Sequence, residues 1–315
     1  MKAWMRILTV TFTSSKLKKK IVFGENYLNN RPDLNIDIVG YKYMSSLKDS
    51  CTIRISNLTY NEIVQLIQGE FYSVEVKAGY QSSGTQTIFK GGVLYISNSL
   101  GDRKTNTAII LCASDLVAKY GQSRLNLTLN SGINIYSALN FICKRAGIPN
   151  TNISTQFKKQ FIQDVVNVND TAASWIDKFA TQNNNIIVNS DNLTEGVVMM
   201  YDANKSNARV IKLNSDNINL TGGYPQLSKD GLNLSIMPTF SFMCGDVIEV
   251  DNSIIDISAT SNDVSQLSKG YYLDKDGLYT IFEMNYHLQN RGPQFSVNLT
   301  CKSRSLISNI TGGMN

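Results

Sequence analysis

Apolar and polar residues alternate over most of the first third of the chain. Residues 7–12 follow period two, as do 34–43 and 51–55, where Ile36, Ile38, Ile53 and Ile55 fall on common faces. Residues 21–24 form a short apolar run ending at Gly24. The period then changes. Over 58–69, Ile63, Val64, Leu66 and Ile67 take helical spacing, with Asn57 or Thr59 available as N-cap. Glu62 stands three residues beyond Thr59, the spacing of a capping box, and Gly69 supplies a stop. Strand patterns resume at 72–80, 87–98 and 105–113, with Gly79, Gly91 and Gly92 suited to bulges or close backbone approach.

The middle of the chain reads differently. Ile135, Leu139, Ile142 and Cys143 form one helical stripe within 133–147, closed by Lys144, Arg145, Gly147 and Pro149. A second helix is predicted over 171–183, capped by Asp170 and turning Ala172, Trp175, Ile176, Phe179 and Ala180 to a core. Short strands are predicted at 161–168, 185–188, 197–201 and 209–212. The last third returns to alternation at 232–237, 246–250, 279–287 and 295–302, with an Asp276-Gly277 turn before the long strand. Residues 252–270 read as a polar mobile loop and 306–315 as a loose tail.

These patterns predict an α+β, mainly β fold. Two small antiparallel β-barrels at the chain ends flank a mixed α+β middle region, since closure would remove exposed sheet edges. The expected domains are a first barrel with one short helix at 1–118, an α+β region at 119–232 with a subdomain break near 160, and a second barrel at 233–315.

Only 17% of residues are charged, below a typical ~25%. Asn, Ser and Thr fill the gap, which suits a surface partly buried in an assembly; base-composition drift in an AT-rich genome gives the same pattern. Net charge is +5, much of it in the run Lys16, Lys18, Lys19 and Lys20. Without interleaved aromatics this reads as a solvated loop between strands rather than a nucleic-acid face. Cys51, Cys112, Cys143, Cys244 and Cys301 form no Cys-x-x-Cys pair and sit mostly in apolar runs, as buried hydrophobes of a reducing compartment do. The short apolar stretch near the N-terminus is broken by threonines and reads as a strand, not a signal peptide. No apolar run approaches the ~20 residues that span a bilayer, so a soluble chain made in the cytoplasm is expected.

Catalytic chemistry has few places to reside. His287 is the single histidine, inside a predicted strand, with no nucleophile elbow in the chain. Metal-ligand types are scattered, and neither a phosphate-cradling P-loop nor a dinucleotide fingerprint occurs. Glu62, Asp164 and Asp170 could in principle form a glycan-hydrolysing carboxylate pair, although capping explains Glu62 better. No catalytic, cofactor-binding or metal site is expected, and no cofactor.

Three stretches carry a resemblance. The first runs from Ser50 to Leu58 into the short helix, then through Val74-Glu75-Val76-Lys77-Ala78-Gly79-Tyr80 to Ile88-Phe89-Lys90-Gly91-Gly92-Val93. The second is Gly223-Tyr224-Pro225, Leu234-Ser235-Ile236-Met237-Pro238 and Cys244-Gly245-Asp246-Val247-Ile248-Glu249-Val250. The third spans Gly277 to His287 and Arg291-Gly292-Pro293-Gln294-Phe295. In order and spacing the chain resembles baseplate hub proteins of contractile-tailed bacteriophages, relatives of the hub part of type VI secretion spike proteins and of late control protein D. The resemblance implies a structural, non-enzymatic homotrimer in the virion tail baseplate, assembled in the host cytoplasm. Three copies with two barrels each would join a sixfold tail tube protein to a threefold spike or puncturing protein. Other baseplate proteins and a tape-measure protein are further partners it implies. DNA would pass through the channel without specific binding, so the Lys16–Lys20 run is expected outside the lumen. No membrane insertion is expected. The alternatives are a tail tube or tail-terminal structural protein, expected to carry one barrel, and a cell-wall glycan hydrolase.

Overall fold

Alternating β-branched and aromatic residues with one buried face become strands here, and a single large sheet collects those from both ends of the chain. The computed structural model describes residues 6–14, 16–24, 33–45, 49–100, 106–148, 150–182, 186–189, 197–202, 209–213, 224–228, 231–238, 242–256, 274 and 276–304. The first third holds β1 (Arg6–Ser14), β2 (Lys19–Gly24), β3 (Asn35–Tyr43), β4 (Ser50–Leu58), α1 (Tyr60–Gln68), β5 (Ser73–Tyr80), β6 (Gly84–Leu100) and β7 (Asn106–Ala113). The middle holds α2 (Asp115–Tyr120), β8 (Arg124–Leu129), α3 (Ile135–Arg145), β9 (Asn150–Ile153), β10 (Val166–Thr171), α4 (Ala172–Gln182), β11 (Ile186–Asn189) and β12 (Val197–Asp202). Then come β13 (Val210–Leu213), β14 (Gln226–Ser228), β15 (Gly231–Ile236), β16 (Val247–Val250), β17 (Leu278–Gln289) and β18 (Phe295–Ser303).

Thirteen strands form one sheet, ordered β14-β15-β18-β17-β3-β4-β7-β6-β5-β1-β2, with β16 on β17 and β13 on β16. The fold is mainly β, as the alternation predicts. Among the described residues no ladder closes either end of the chain into a barrel. The two ends are instead joined edge to edge where β17 pairs with β3. One core serves both, from Leu8, Val10 and Phe12 through Ile36, Ile38, Ile53 and Ile55 to Tyr279, Tyr286, Leu299 and Cys301. Strands β13 and β14, which fall within 119–232, also belong to this sheet.

The middle builds its own core. Leu139, Ile142 and Cys143 of α3 meet Ala172, Trp175 and Ile176 of α4, with Leu125, Leu129 and Val168 from the β8–β10 pair. Two expectations shift here. The strand predicted over 161–168 begins only at Val166; Phe161 makes an isolated bridge to Asn134. The cap of α4 is Thr171, whose Oγ1 accepts the Ser174 N–H at 3.1 Å, while Asp170 backs it by accepting the Thr171 N–H at 2.7 Å. The cap falls one residue later than expected because β10 runs through Thr171, opposite Arg124, and α4 begins directly after it at Ala172.

The capping box on α1 forms as the spacing predicts. Glu62 N–H donates to Thr59 Oγ1 at 3.3 Å, and Thr59 N–H donates to Glu62 Oε2 at 2.7 Å. Thr59 is therefore the N-cap, and Asn57 sits before it with φ of 66°. Thr59→Ala should cost about 1 kcal/mol of stability in chemical denaturation, without changing the native far-UV spectrum. Residues 16–18 form an exposed turn between β1 and β2, and Lys19 and Lys20 open β2, so the lysine run is a solvated hairpin as expected. The expected mobile loop over 252–270 lies outside the described residues beyond Asp256; Asn252–Ile254 form a 3₁₀ turn. The expected loose tail over 306–315 also lies outside them.

Candidate assembly interface

A five-strand module occurs twice. β3 to β7 stand in the order β3-β4-β7-β6-β5, and β14 to β18 stand in the order β14-β15-β18-β17-β16. Every ladder in both modules is antiparallel. The fourth strand of each module bulges against the fifth. Leu94 is the extra residue between Val93, opposite Cys112, and Tyr95, opposite Leu111. Phe282 is the extra residue between Ile281, opposite Cys301, and Glu283, opposite Thr300.

Setting bulge on bulge aligns the modules residue by residue. Cys112 falls on Cys301, Cys51 on Leu232 and Gly40 on Leu227, because each pair holds the same place in its ladders. A bond beside the bulge repeats as well: Val93 N–H donates to Tyr72 O at 3.1 Å, and Ile281 N–H donates to Asp246 O at 2.9 Å. Bulges bend a strand and fix register, so their recurrence gives both modules the same corner.

The seam between the modules is built on β17. Residues 278–280 of this strand pair with β16, and residues 283–289 pair with β3 on the same edge, opposite β18. Tyr286 stands opposite Gly40, and a Cβ at Gly40 would lie 2.2 Å from the Tyr286 hydroxyl. The glycine thus makes room for the ring, which is fully buried and directs its hydroxyl toward Cys51 on β4. Further along, His287 Nε2 lies 2.9 Å from Asp37 Oδ1. Asn290 then clamps the end of the ladder: its Oδ1 accepts the Ile36 N–H at 2.8 Å, and its Nδ2 donates to Leu34 O at 3.0 Å. The β17–β18 turn is held by Arg6, which donates to Gly292 O and lies 5.1 Å from the Phe295 ring centre. Tyr80 meets the same ring edge-on at 5.4 Å.

The residues with catalytic potential are placed elsewhere or used up. His287 belongs to the seam. Glu62 caps α1 on the first module, whereas Asp164 and Asp170 are in the middle region. Asp170 accepts hydrogen bonds from Lys178 Nζ at 2.5 Å, Ser174 Oγ at 2.7 Å and the Thr171 N–H. These bonds hold its carboxyl down to about 2, Lys178 contributing most. It borders a cleft of about 460 Å³ lined by Phe161, Asn167, Trp175 and Phe179. Among the described residues no group of three or more His, Cys, Asp or Glu could hold a metal, and no helix is long and apolar enough to cross a membrane.

All five cysteines are free and buried. Burial pushes the Cys51 and Cys143 thiols up to about 12 and raises those of Cys112 and Cys301 as well. A maleimide at neutral pH should therefore leave the native chain unlabelled and modify it only after denaturant unfolds it, which mass spectrometry reads directly.

Gly40, Tyr286, Asn290 and Arg6 carried no signal that sequence reasoning used. The one available was Gly40 itself, a glycine inside a strand pattern, which marks close approach of another group.

No protein-family model matches the chain, and no curated protein matches it in sequence. Solved structures do share its fold. The 43 kDa tail protein of prophage MuSo2 from Shewanella oneidensis superposes with a TM-score of 0.57 at 9% identity, covering 96% of this chain and 98% of that one. The tail protein from Neisseria meningitidis MC58 gives 0.54 at 8%, covering 95% and 97%. The Escherichia coli c3393 protein, a type VI secretion component described as similar to T4 tail proteins gp27 and gp5, gives 0.53 at 9%, covering 86% and 73%. The fold is thus shared by phage tail proteins and type VI secretion components, in agreement with the hub resemblance read from the three sequence stretches.

Proposed function

We propose that this chain is a structural phage tail protein that serves as the baseplate hub. The observation that carries the reading is the repeated five-strand module, fused edge to edge within one polypeptide. Two equivalent modules per chain let three copies offer six similar positions, matching a sixfold tube on one face and a threefold spike on the other. Support for a spike partner comes from a further fold neighbour, the Francisella PdpA-VgrG complex, at a TM-score of 0.54 and 9% identity, covering 96% of this chain and 58% of that one.

In this reading each module is a small barrel-like unit, within 1–118 and 233–315, with β13 and β14 joining the second. The α+β stretch inside 119–232 projects from the ring. The chain has no enzymatic role; it touches the tube, the spike, other baseplate proteins and the tape-measure protein. It resides in the virion tail after assembly in the host cytoplasm. DNA passes through the lumen without specific contacts, and the Lys16–Lys20 hairpin faces away from it, since clustered lysines would hold phosphates.

Position in the particle tests this against a tail-tube role, for which one module per chain is expected. Gold label on an affinity tag fused to this chain should mark one end of each tail, beside the spike. Label repeated along the tail's length would make it a tube subunit, and label confined to the head-proximal end would make it a terminator.

A further inference from the structure

The middle region carries a cleft of about 460 Å³ that the hub reading leaves unused. Its size is that of a small-ligand site, usually ~300–1,000 Å³. Three aromatic rings line it: Phe161, Trp175 and Phe179. Trp175 and Phe179 sit one turn apart on α4 and lie nearly parallel, ring centres 5.3 Å apart at 11°. Phe161 is 53% exposed, yet its backbone is fixed. Ile135 N–H donates to Gln160 O at 2.9 Å, and Ile162 N–H donates to Ile133 O at 2.9 Å, so the residues on both sides of Phe161 are tied to the chain entering α3. A large ring kept in water on a fixed segment is preorganised for a ligand.

Polar groups share the cleft with the rings. Asn167 and Asn169 stand two apart on β10, hence on one face of the strand, with Val168 buried on the other. Asn167 Oδ1 accepts the Thr128 hydroxyl at 2.8 Å, which orients the amide and leaves its Nδ2 to donate. The two charged residues of the lining, Asp170 and Lys178, pair with each other at 2.5 Å. The site therefore offers flat rings and neutral amides without net charge.

We propose that this cleft binds an N-acetylated hexosamine unit of a glycan chain. A sugar ring presents C–H groups on its faces and hydroxyls around its rim, so it needs aromatic faces and amide hydrogen bonds together. A phosphate or carboxylate ligand would need a cation, and Lys178 is committed to Asp170. A purely apolar ligand would strip water from Asn167 and Asn169 and give them no bond in return. The acetamido group is read from the aliphatic part of the lining: Ile135, Ile162 and Val166 suit its methyl, which a plain hexose lacks. This function lies beyond the hub reading and is independent of it, since the cleft lies within the middle region whatever position the chain takes in the tail.

Trp175 reports the cleft. With Trp4, the chain's other tryptophan, changed by Trp4→Phe, the fluorescence of the full-length protein should change saturably as chitotetraose, a soluble N-acetylglucosamine oligomer, is added. Cellotetraose, the same chain without acetamido groups, should bind at least ~tenfold more weakly. Phe161 and Asn169 are exposed, so Phe161→Ala and Asn169→Ala keep the fold. Each should raise the chitotetraose midpoint about tenfold. No saturable change with chitotetraose would overturn the proposal. A midpoint that both variants leave unmoved would overturn it too, because the sugar would then sit elsewhere. Equal midpoints for the two oligomers would overturn the acetamido assignment, and saturation by oligothymidylate in place of the sugar would make the rings a nucleobase platform instead. Retention on purified peptidoglycan sacculi that chitotetraose competes away would identify the cell wall as the source of the glycan, whereas retention on chitin beads alone would identify another N-acetylated polymer.

Discussion

Gly40→Val should destabilise the chain by about 3 kcal/mol, the upper end of the usual cost of overpacking and more than most single changes on its surface or in its loops. The valine Cβ would enter the space of the Tyr286 ring, 2.2 Å from its hydroxyl and 2.3 Å from Cζ. Neither side can yield. Gly40 is held in ladders to β4 and β17, and Tyr286 is fully buried in the core common to both modules. The damage should fall on the seam. Tyr286→Ala, destabilising alone through lost burial, should recover part of the stability of Gly40→Val when combined with it. Urea unfolding of the four members of that cycle reads the coupling directly, and additive effects would show that the ring and the glycine do not constrain each other.

Asp274→Ala should cost about 3 kcal/mol, a shift of about 1 M in urea midpoint for an m-value near ~3 kcal/mol/M. Asp274 is buried, and its carboxylate organises the start of β17. Oδ2 accepts the buried Ser303 hydroxyl at 2.8 Å, and Oδ1 accepts the N–H groups of Asp276 at 3.0 Å and Leu278 at 3.2 Å. Alanine removes all of these acceptors and leaves the Ser303 hydroxyl without this partner where water cannot replace it. Asp274→Asn keeps one oxygen acceptor and should cost distinctly less. Equal losses for the two variants would contradict this account of the turn.

Much of the sheet was legible because each strand buries one face. Ile36 and Ile38 on β3 and Ile53 and Ile55 on β4 are buried and lie opposite each other in pairs, as their alternation requires. Capping chemistry located α1 for the same reason: Thr59 and Glu62 satisfy each other locally. Elements whose stability comes from distant partners were harder to find. β8 alternates well in Arg124–Leu129, yet only its pairing with β10 shows it to be a strand. α2 is six residues long and shows too little pattern to declare itself, although Ser114 caps it.

The seam between the two modules was the least legible part. Nothing in the local sequence says that β17 divides one edge between β16 and β3, because that follows from which strand ends meet in space. The expectation of two β-units came from strand alternation at the two ends of the chain, and family resemblance added only the ring they would form. The repeat itself became visible only through ladder registers, since equivalent positions such as Gly40 and Leu227, or Tyr286 and Asn98, share no chemistry. His287 shows the converse. Its strand position argued against catalysis, and its contact with Asp37 places it at the seam.

Electron microscopy of the purified assembly bears most directly on the claim that two equivalent modules per chain make a six-position ring. Averages computed without imposed symmetry should show a closed ring with six lobes of similar size around a central opening, obeying threefold but not sixfold symmetry, at ~105 kDa for three chains of 35.0 kDa. A ring of six chains, or three chains presenting only three lobes, would contradict it.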